Sequence, residues 1–172
     1  MLHEARRRII FEELFIFQLG LMKLKGNRKE TTPVAVTQDY TDEFKRLLPF
    51  RLTGAQNRAV SESISQMTSG ITMNRLLQGD VGSGKTAVAA ALIYTVVKNG
   101  YQCAFMAPTE ILARQHYESA KAMLEPLGIH CGLLIGSMRP KAKREAQEAC
   151  ANGEYQAVFG THALISEKVA YQ

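Results

Sequence analysis

The feature that most constrains this chain is a glycine-rich octapeptide, GDVGSGKT, which runs from Gly79 to Thr86 between a short apolar run and a helical stretch. It matches the pattern G-x-x-x-x-G-K-[S/T]. Its glycines let the backbone turn with positive φ and approach phosphate oxygens closely. Successive N–H groups then form an anion nest at the start of the following helix. The octapeptide therefore predicts a nucleoside triphosphate site between a strand and a helix.

Each residue type in the octapeptide has a predicted role. The ammonium of Lys85 is expected to reach the β- and γ-phosphates, and the hydroxyl of Thr86 is expected to be a ligand of Mg²⁺. These two residues are the predicted catalytic groups. The predicted nucleotide-binding residues of the loop are Gly79, Gly82, Ser83, Gly84, Lys85 and Thr86.

The segments around the loop alternate between short apolar runs and helical stretches. This alternation predicts a β-α-β-α-β-α-β order, which is typical of an α/β fold with a parallel sheet and helices on both faces. The predicted strands are 75–78, 102–107, 129–135 and 156–160, and the predicted helices between them are 84–98, 109–124 and 140–151.

The residues before the loop predict a helical extension. Apolar residues at spacings of three and four, such as Ile10, Leu14 and Phe17, predict one long helix over 2–25. Its apolar stripe is wider than one partner needs, so the helix either packs in an ordinary core or contacts a domain outside this chain. A flexible linker is predicted over 26–41. Short helices are predicted at 41–48 and 54–68.

Composition excludes several classes of protein. The chain has 172 residues, and no run of about 18 apolar residues predicts a membrane span. Its three cysteines form no C-x-x-C pair and its four histidines lack zinc-site spacing, so buried reduced thiols are expected. The net charge of +5 permits a nucleic-acid partner without requiring one. We expect a cytoplasmic protein that does not bind membranes.

Several segments of the chain form a recognisable ordered set. They are ARRR at 5–8, FEEL at 11–14, MNRLLQ at 73–78 with the octapeptide, MAPTEILARQH at 106–116, LLIGS at 133–137 and GTHALI at 160–165. In this order they resemble the bacterial RecG helicase family. The resemblance covers nearly the whole chain and identifies the chain as similar to a superfamily-two helicase.

Three alternatives to this resemblance stay open. The motor of transcription-repair coupling factors is similar, but that family usually has Tyr in place of Ser83 and tends to have Thr in place of Glu110, so both positions favour RecG. A non-catalytic nucleotide-binding module and a small-molecule phosphotransferase also use this loop.

The resemblance implies that the triphosphate is ATP, bound with Mg²⁺, and that Phe50 and Gln56 read the adenine. A glutamine amide carries both a donor and an acceptor, which suits the adenine edge. Thr53 and Gln56 also have the spacing of a capping box, in which the glutamine bonds back to the backbone of the cap residue.

The resemblance further implies DNA contacts at the ends of three strands. In parallel sheets, binding residues gather at the carboxyl ends of strands. The alternative for Thr109 is that it caps the next helix, and Glu110 is assigned to that helix start. The basic residues at 139, 141, 143 and 144 either bind phosphate or form a solvated helix face. The predicted DNA-binding residues are Pro108, Thr109, Gly136, Ser137, Thr161 and His162.

The resemblance also implies how the chain is organised. Residues 1–48 would be a helical extension and linker that follow a wedge domain, and residues 49–172 the first part of a RecA-like motor domain. The Asp-Glu motif needed for hydrolysis lies beyond this incomplete motor domain. We therefore expect the parent protein to remodel stalled forks and Holliday junctions in recombination and repair, with single-stranded DNA-binding protein as a partner. This chain alone is expected to bind nucleotide without turnover.

Overall fold

The computed structural model describes residues 2–25, 36–70, 72–166 and 169–172. It divides into two compact units, Met1–Thr31 and Thr32–Gln172. The linker predicted over 26–41 lies mostly outside the described residues. Its described part was predicted wrongly, because Asn99 accepts hydrogen bonds from the backbone N–H groups of Thr37 and Gln38 at 3.0 and 3.1 Å. Val36 beside them is 4% exposed, so this stretch is packed rather than flexible.

The first unit contains the helix predicted at the N-terminus. This helix, α1, spans Leu2–Lys25. The rings of Phe11 and Phe15 stack one turn apart, with centroids 5.8 Å apart. Many of its large apolar residues are exposed, namely Ile9, Ile10, Phe11, Leu14, Phe15, Ile16, Phe17, Leu19, Leu21 and Met22. None of the helices described is long and apolar enough to cross a bilayer.

Three helices of the second unit pack around a shared apolar cluster. They are α2 (Thr41–Leu47), α3 (Gly54–Met67) and α4 (Lys85–Lys98). Phe44 from α2 and Val60 from α3 are fully buried against α4. The helices agree with the predicted ones to within about one residue at each end. Their packing fixes the start of α4, where the glycine-rich loop ends.

A polar contact inside this packing ties α2 to α4. The ring of Tyr94 is 1% exposed and lies 5.4 Å from the ring of Phe44. The Tyr94 hydroxyl donates a 2.6 Å hydrogen bond to the Glu43 carboxylate, which also pairs with Lys98 at 3.4 Å. Burial, and then the Glu43 hydrogen bond, raise the pKa of Tyr94 to about 12. The same hydrogen bond lowers the pKa of Glu43. The tyrosine hydroxyl therefore stays protonated and keeps this contact well into the alkaline range.

The sheet has three parallel strands: β1 (Cys103–Met106), β2 (Cys131–Leu134) and β3 (Ala157–Gly160). Their order is β1-β3-β2, so the last strand lies between the other two. Helix α5 (Glu110–Leu124) packs on the face that carries Phe105 and Phe159, and α6 (Pro140–Ala151) packs on the face that carries Val158. The predicted α/β fold, with helices on both faces of a parallel sheet, is confirmed.

The predicted first strand, 75–78, is not formed. Leu76 is 89% exposed, and Arg75 is held by Glu62 and Gln66 of α3. Two adjacent leucines resemble a short buried strand in sequence, but a strand needs a hydrogen-bonded neighbour. In the described chain this segment instead leads from α3 into the glycine-rich loop without joining the sheet.

The three cysteines are free thiols in and around the sheet. Cys103 and Cys131 flank Ala157 in register, one from each outer strand. Burial raises the pKa of Cys103 to about 12 and that of Cys131 to about 11, and it also raises the pKa of Cys150. The expectation that the thiols are mostly buried is confirmed, because Cys131 and Cys150 are buried and Cys103 is partly buried.

Candidate functional site

The glycine-rich loop has the backbone conformation that its glycines predict. Gly82 and Gly84 have φ values of 80° and 78°, a region that side chains rarely adopt. A Cβ atom at Gly84 would lie 2.3 Å from Nε2 of Gln56. Helix α4 begins at Lys85, immediately after the loop. Gly84 therefore suits its left-handed dihedral angles, and a side chain at this position would also displace the Gln56 amide.

The ammonium of Lys85 is held by the loop itself. It donates to the carbonyl oxygens of Gly79 at 2.8 Å and Asp80 at 2.7 Å, and to Oγ of Ser83 at 3.4 Å. Three uncharged oxygens surround one cation, and a phosphate oxygen would be a stronger acceptor in the same place. The loop thus fixes the amine at its centre, where the sequence predicts contact with the triphosphate.

Thr86 lies in the first turn of α4 and is partly buried. Within the part of the chain that the structure describes, its hydroxyl has no hydrogen-bond partner. Mg²⁺ takes hard oxygen ligands and usually keeps several waters, so one free protein hydroxyl beside a phosphate site fits its chemistry. Thr86 is therefore compatible with the Mg²⁺ role predicted for it.

Gln56 connects the start of α3 to the loop. Its Oε1 accepts from the backbone N–H of Thr53 at 2.8 Å, and its own N–H donates to Oγ1 of Thr53 at 3.3 Å. The capping box that the sequence offered as one alternative is thus confirmed. Its side-chain Nε2 donates to the carbonyl of Ser83 at 2.9 Å. Adenine contact by Gln56 stays a prediction, and the amide is already shared between a helix cap and the phosphate loop.

A cleft of about 440 Å³ opens beside these residues. It is lined by the start of α3, by the segment that enters the loop and by the loop itself. The predicted residues Gln56, Gly79, Ser83 and Lys85 are part of the lining. Phe50 is 45% exposed and is not among the described residues that line this cleft. The cleft is thus lined by half of the predicted nucleotide residues, and Gly82, Gly84 and Thr86, like Phe50, are not among its described lining.

The predicted DNA-binding residues lie where the three strands end. Met106 of β1 and Leu134 of β2 are both in register with Gly160 of β3, so the loops that follow leave the sheet at one edge. In these loops the exposed predicted residues are Pro108, Thr109, Gly136, Ser137 and His162. Thr161 is the buried member of the predicted set, with only 4% of the residue exposed, so its predicted DNA contact has little surface to use.

Two of these loops are joined by a contact that sequence reasoning missed. Thr109 caps α5 by accepting from the N–H of Leu112 at 3.3 Å, as one alternative predicted. Glu110 starts α5 as predicted, but its carboxylate reaches Ser137. It accepts from the Ser137 N–H at 2.9 Å and from the Ser137 hydroxyl. These two hydrogen bonds lower the pKa of Glu110. The partners are 27 residues apart in sequence, and no spacing rule connects them.

The basic residues that follow Ser137 lie at the start of α6. Lys141 is 3.9 Å from Glu145. Among the described residues, Arg139, Lys143 and Arg144 form no ion pair. These three residues, unlike Lys141, are therefore available to an anionic partner.

The residues that the structure describes contain no group of three or more His, Cys, Asp or Glu side chains that could hold a metal ion.

Comparison with known proteins adds three findings. The family described as DEAD/DEAH box helicase matches residues 53–171. The ATP-dependent DNA helicase RecG of Aquifex aeolicus is 45% identical over 168 residues, which cover 96% of this chain and 21% of that protein. The corresponding helicase of Bacillus subtilis is 44% identical over 172 residues, which cover 98% of this chain and 25% of that protein.

A solved structure agrees with these relatives. The structure of RecG bound to a three-way DNA junction superposes with a TM-score of 0.83 at 43% identity, covering 99% of this chain and 24% of that one. The resemblance to RecG helicases predicted from the sequence is confirmed. The chain spans about a quarter of the length of the curated relatives it matches.

Proposed function

Because this chain belongs to the DEAD/DEAH box helicase family, we propose that it forms the ATP-binding part of a DNA translocase that remodels branched DNA in recombination and repair. The observation that carries the nucleotide part is the position of Lys85 at the centre of a glycine-rich loop, at the start of α4 and beside a cleft. A relative that binds a three-way DNA junction supports branched DNA as the substrate.

The residues around the cleft have complementary roles in this proposal. Lys85 binds the β- and γ-phosphates, and the loop N–H groups and the positive end of α4 bind the remaining phosphate charge. Thr86 contributes one oxygen to the Mg²⁺ that accompanies ATP, and the ion neutralises charge on the phosphates. Gln56, which bonds to the cap of α3 and to the loop, reads the adenine in this proposal.

The exposed strand ends form the DNA-binding side of the proposal. Thr109 and Ser137 have hydroxyl groups suited to phosphate oxygens, and Gly136 allows the backbone to come close. Contacts of this kind position a protein on DNA without reading its sequence. That property suits an enzyme that moves along DNA, and it is the reason to prefer a translocase over a small-molecule phosphotransferase.

Replacing Lys85 by Ala tests the nucleotide site. We expect the dissociation constant for Mg-ATP to rise roughly tenfold or more, because a charged hydrogen bond to phosphate is worth about 1.5–3 kcal/mol. The measurement is a calorimetric titration of the chain with Mg-ATP. The matched control is Lys121→Ala, which removes the same charge from the surface of α5. An affinity that is equal in the Lys85→Ala, Lys121→Ala and unchanged chains would refute the role given to Lys85.

A further inference from the structure

The contact between Glu110 and Ser137 joins a carboxylate to a loop that is proposed to bind DNA. Glu110 starts α5 after β1, and Ser137 follows β2. The carboxylate accepts from both the backbone N–H and the hydroxyl of Ser137. It also lies directly against Gly136, where a Cβ atom would be 3.0 Å from Oε1. The free protein therefore already holds an anionic group at this loop.

The donors of Ser137 are fully used by this contact. A serine hydroxyl has one proton to donate, and its backbone has one N–H. Both are directed at Glu110, so neither can bond a phosphate oxygen while the contact persists. A carboxylate and a phosphate present the same kind of anionic acceptor to such donors. A DNA phosphate that takes the Ser137 donors must displace Glu110.

From this competition we propose that Glu110 sets the affinity of the Gly136–Ser137 loop for the DNA backbone, because its carboxylate occupies in the free protein the donors that a phosphate takes over in the complex. The inference rests on the proposed DNA-binding function. Glu110 acts here as a positioning residue, through Ser137, and not as a DNA contact.

Charges near the loop favour such an exchange. Arg139 and Lys143 follow Ser137 and form no ion pair in the described part of the chain, so they attract an incoming phosphate. The displaced carboxylate also has a positively charged side chain nearby. Arg114 lies four residues after Glu110 on α5, and its charge already helps to lower the pKa of Glu110. Exchange therefore gives the Ser137 donors one anionic acceptor in place of another, and it leaves the Glu110 carboxylate near the positive charge of Arg114.

The first test compares binding of a fluorescently labelled three-way DNA junction by the unchanged chain and by Glu110→Gln, measured by fluorescence anisotropy. We expect Glu110→Gln to bind about tenfold more tightly, because the phosphate no longer has to break charged hydrogen bonds. The control is Glu145→Gln, which removes an exposed carboxylate that faces Lys141 rather than Ser137. Ser137→Ala should weaken binding more in the Glu110→Gln background than in the unchanged chain.

The outcomes separate this proposal from simpler ones. If both glutamine variants bind equally more tightly, the effect is long-range charge alone and the proposal is wrong. If Glu110→Gln binds the junction more weakly, the carboxylate stabilises the DNA-binding conformation of the loop, and the proposal is also wrong. Additive effects of Glu110→Gln and Ser137→Ala would contradict it in the same way.

The second test does not depend on DNA. The amide signal of Ser137 is followed by NMR during titration with inorganic phosphate, in the unchanged chain and in Glu110→Ala. We expect a response in Glu110→Ala that is absent or much weaker in the unchanged chain. If neither chain binds the junction but this response appears, the proposed DNA-binding function is wrong. The inference that Glu110 occupies the Ser137 donors would still hold. No difference between the two chains would overturn the inference itself.

Discussion

At the residue scale, the hydroxyl of Tyr94 makes a buried contact whose energy can be measured. Tyr94→Phe keeps the ring packed on Phe44 but removes the donor to Glu43. We expect a loss of about 1 kcal/mol in the free energy of unfolding near neutral pH, because one hydrogen bond is lost. Urea unfolding measures this, and the control Tyr40→Phe removes a hydroxyl bonded to Gln38 at the surface.

The pH dependence of stability is a separate prediction of the same contact. Folding raises the pKa of Tyr94 from an ordinary value of 10 to about 12, so the folded chain binds the proton more tightly than the unfolded chain. The stability from this effect is complete below pH 10 and is lost as pH rises through 12. Urea unfolding of Tyr94→Phe should therefore show a smaller decline over that window. An identical decline in both chains would contradict the prediction.

Single residues differ in how well sequence could predict them. The Thr53–Gln56 capping box and the glycine conformations follow from local spacing, so the sequence predicts them. The second bond of Gln56, to Ser83, spans 27 residues and depends on where α3 packs. The Glu110–Ser137 contact depends on two strands meeting through a third. Local patterns carry no information about either contact.

At the element scale, β3 is packed too closely to accept a side chain at Gly160. A Cβ atom there would lie 2.0 Å from the backbone oxygen of Leu134 and 3.0 Å from Cγ of Leu164. We expect Gly160→Ala to lower the free energy of unfolding by about 3 kcal/mol, because a central strand cannot shift to relieve the overlap. Thermal or urea unfolding measures the change.

The control for this substitution is Gly20→Ala in α1. A Cβ atom at Gly20 meets nothing within 4 Å, and alanine favours a helix interior by roughly 0.5–1 kcal/mol. The helical circular dichroism of the chain should therefore stay equal or increase. A Gly160→Ala chain as stable as the unchanged chain would show that the strands can separate locally.

Helices were predicted better than strands. Apolar residues that recur at spacings of three and four over 12 or more residues predict α1, α5 and α6. Helix α6, for example, has 12 residues. The strands each contain 4 residues, fewer than predicted, and 75–78 is no strand. Two exposed leucines and one arginine bound to α3 explain that error. Whether such a short segment forms a strand depends on pairing with a strand that is distant in sequence. The hydropathy of the segment does not predict that pairing.

At the scale of the whole molecule, the burial of the three thiols predicts slow reaction with thiol reagents. Their pKa values are all raised by burial, so the reactive thiolate is scarce near neutral pH. We expect the folded chain to react with an aromatic disulfide far more slowly than the chain in guanidinium, measured by absorbance of the released thiol. A Ser119→Cys variant, exposed on α5, is the positive control. Equal rates in the folded and denatured chains would contradict the burial of these groups.

The strand order also has a consequence for how the chain is made. The two described pairings both involve β3, and β1 and β2 are not hydrogen-bonded to each other. A ribosome synthesises β1 first and β3 last. The nascent chain therefore cannot close a single ladder of this sheet until residues 157–160 have left the exit tunnel. About fifty residues separate the end of β1 from the start of β3. While these residues emerge, β1 and β2 have no hydrogen-bonded neighbour in the sheet, and only their helices or chaperones can shield them from solvent.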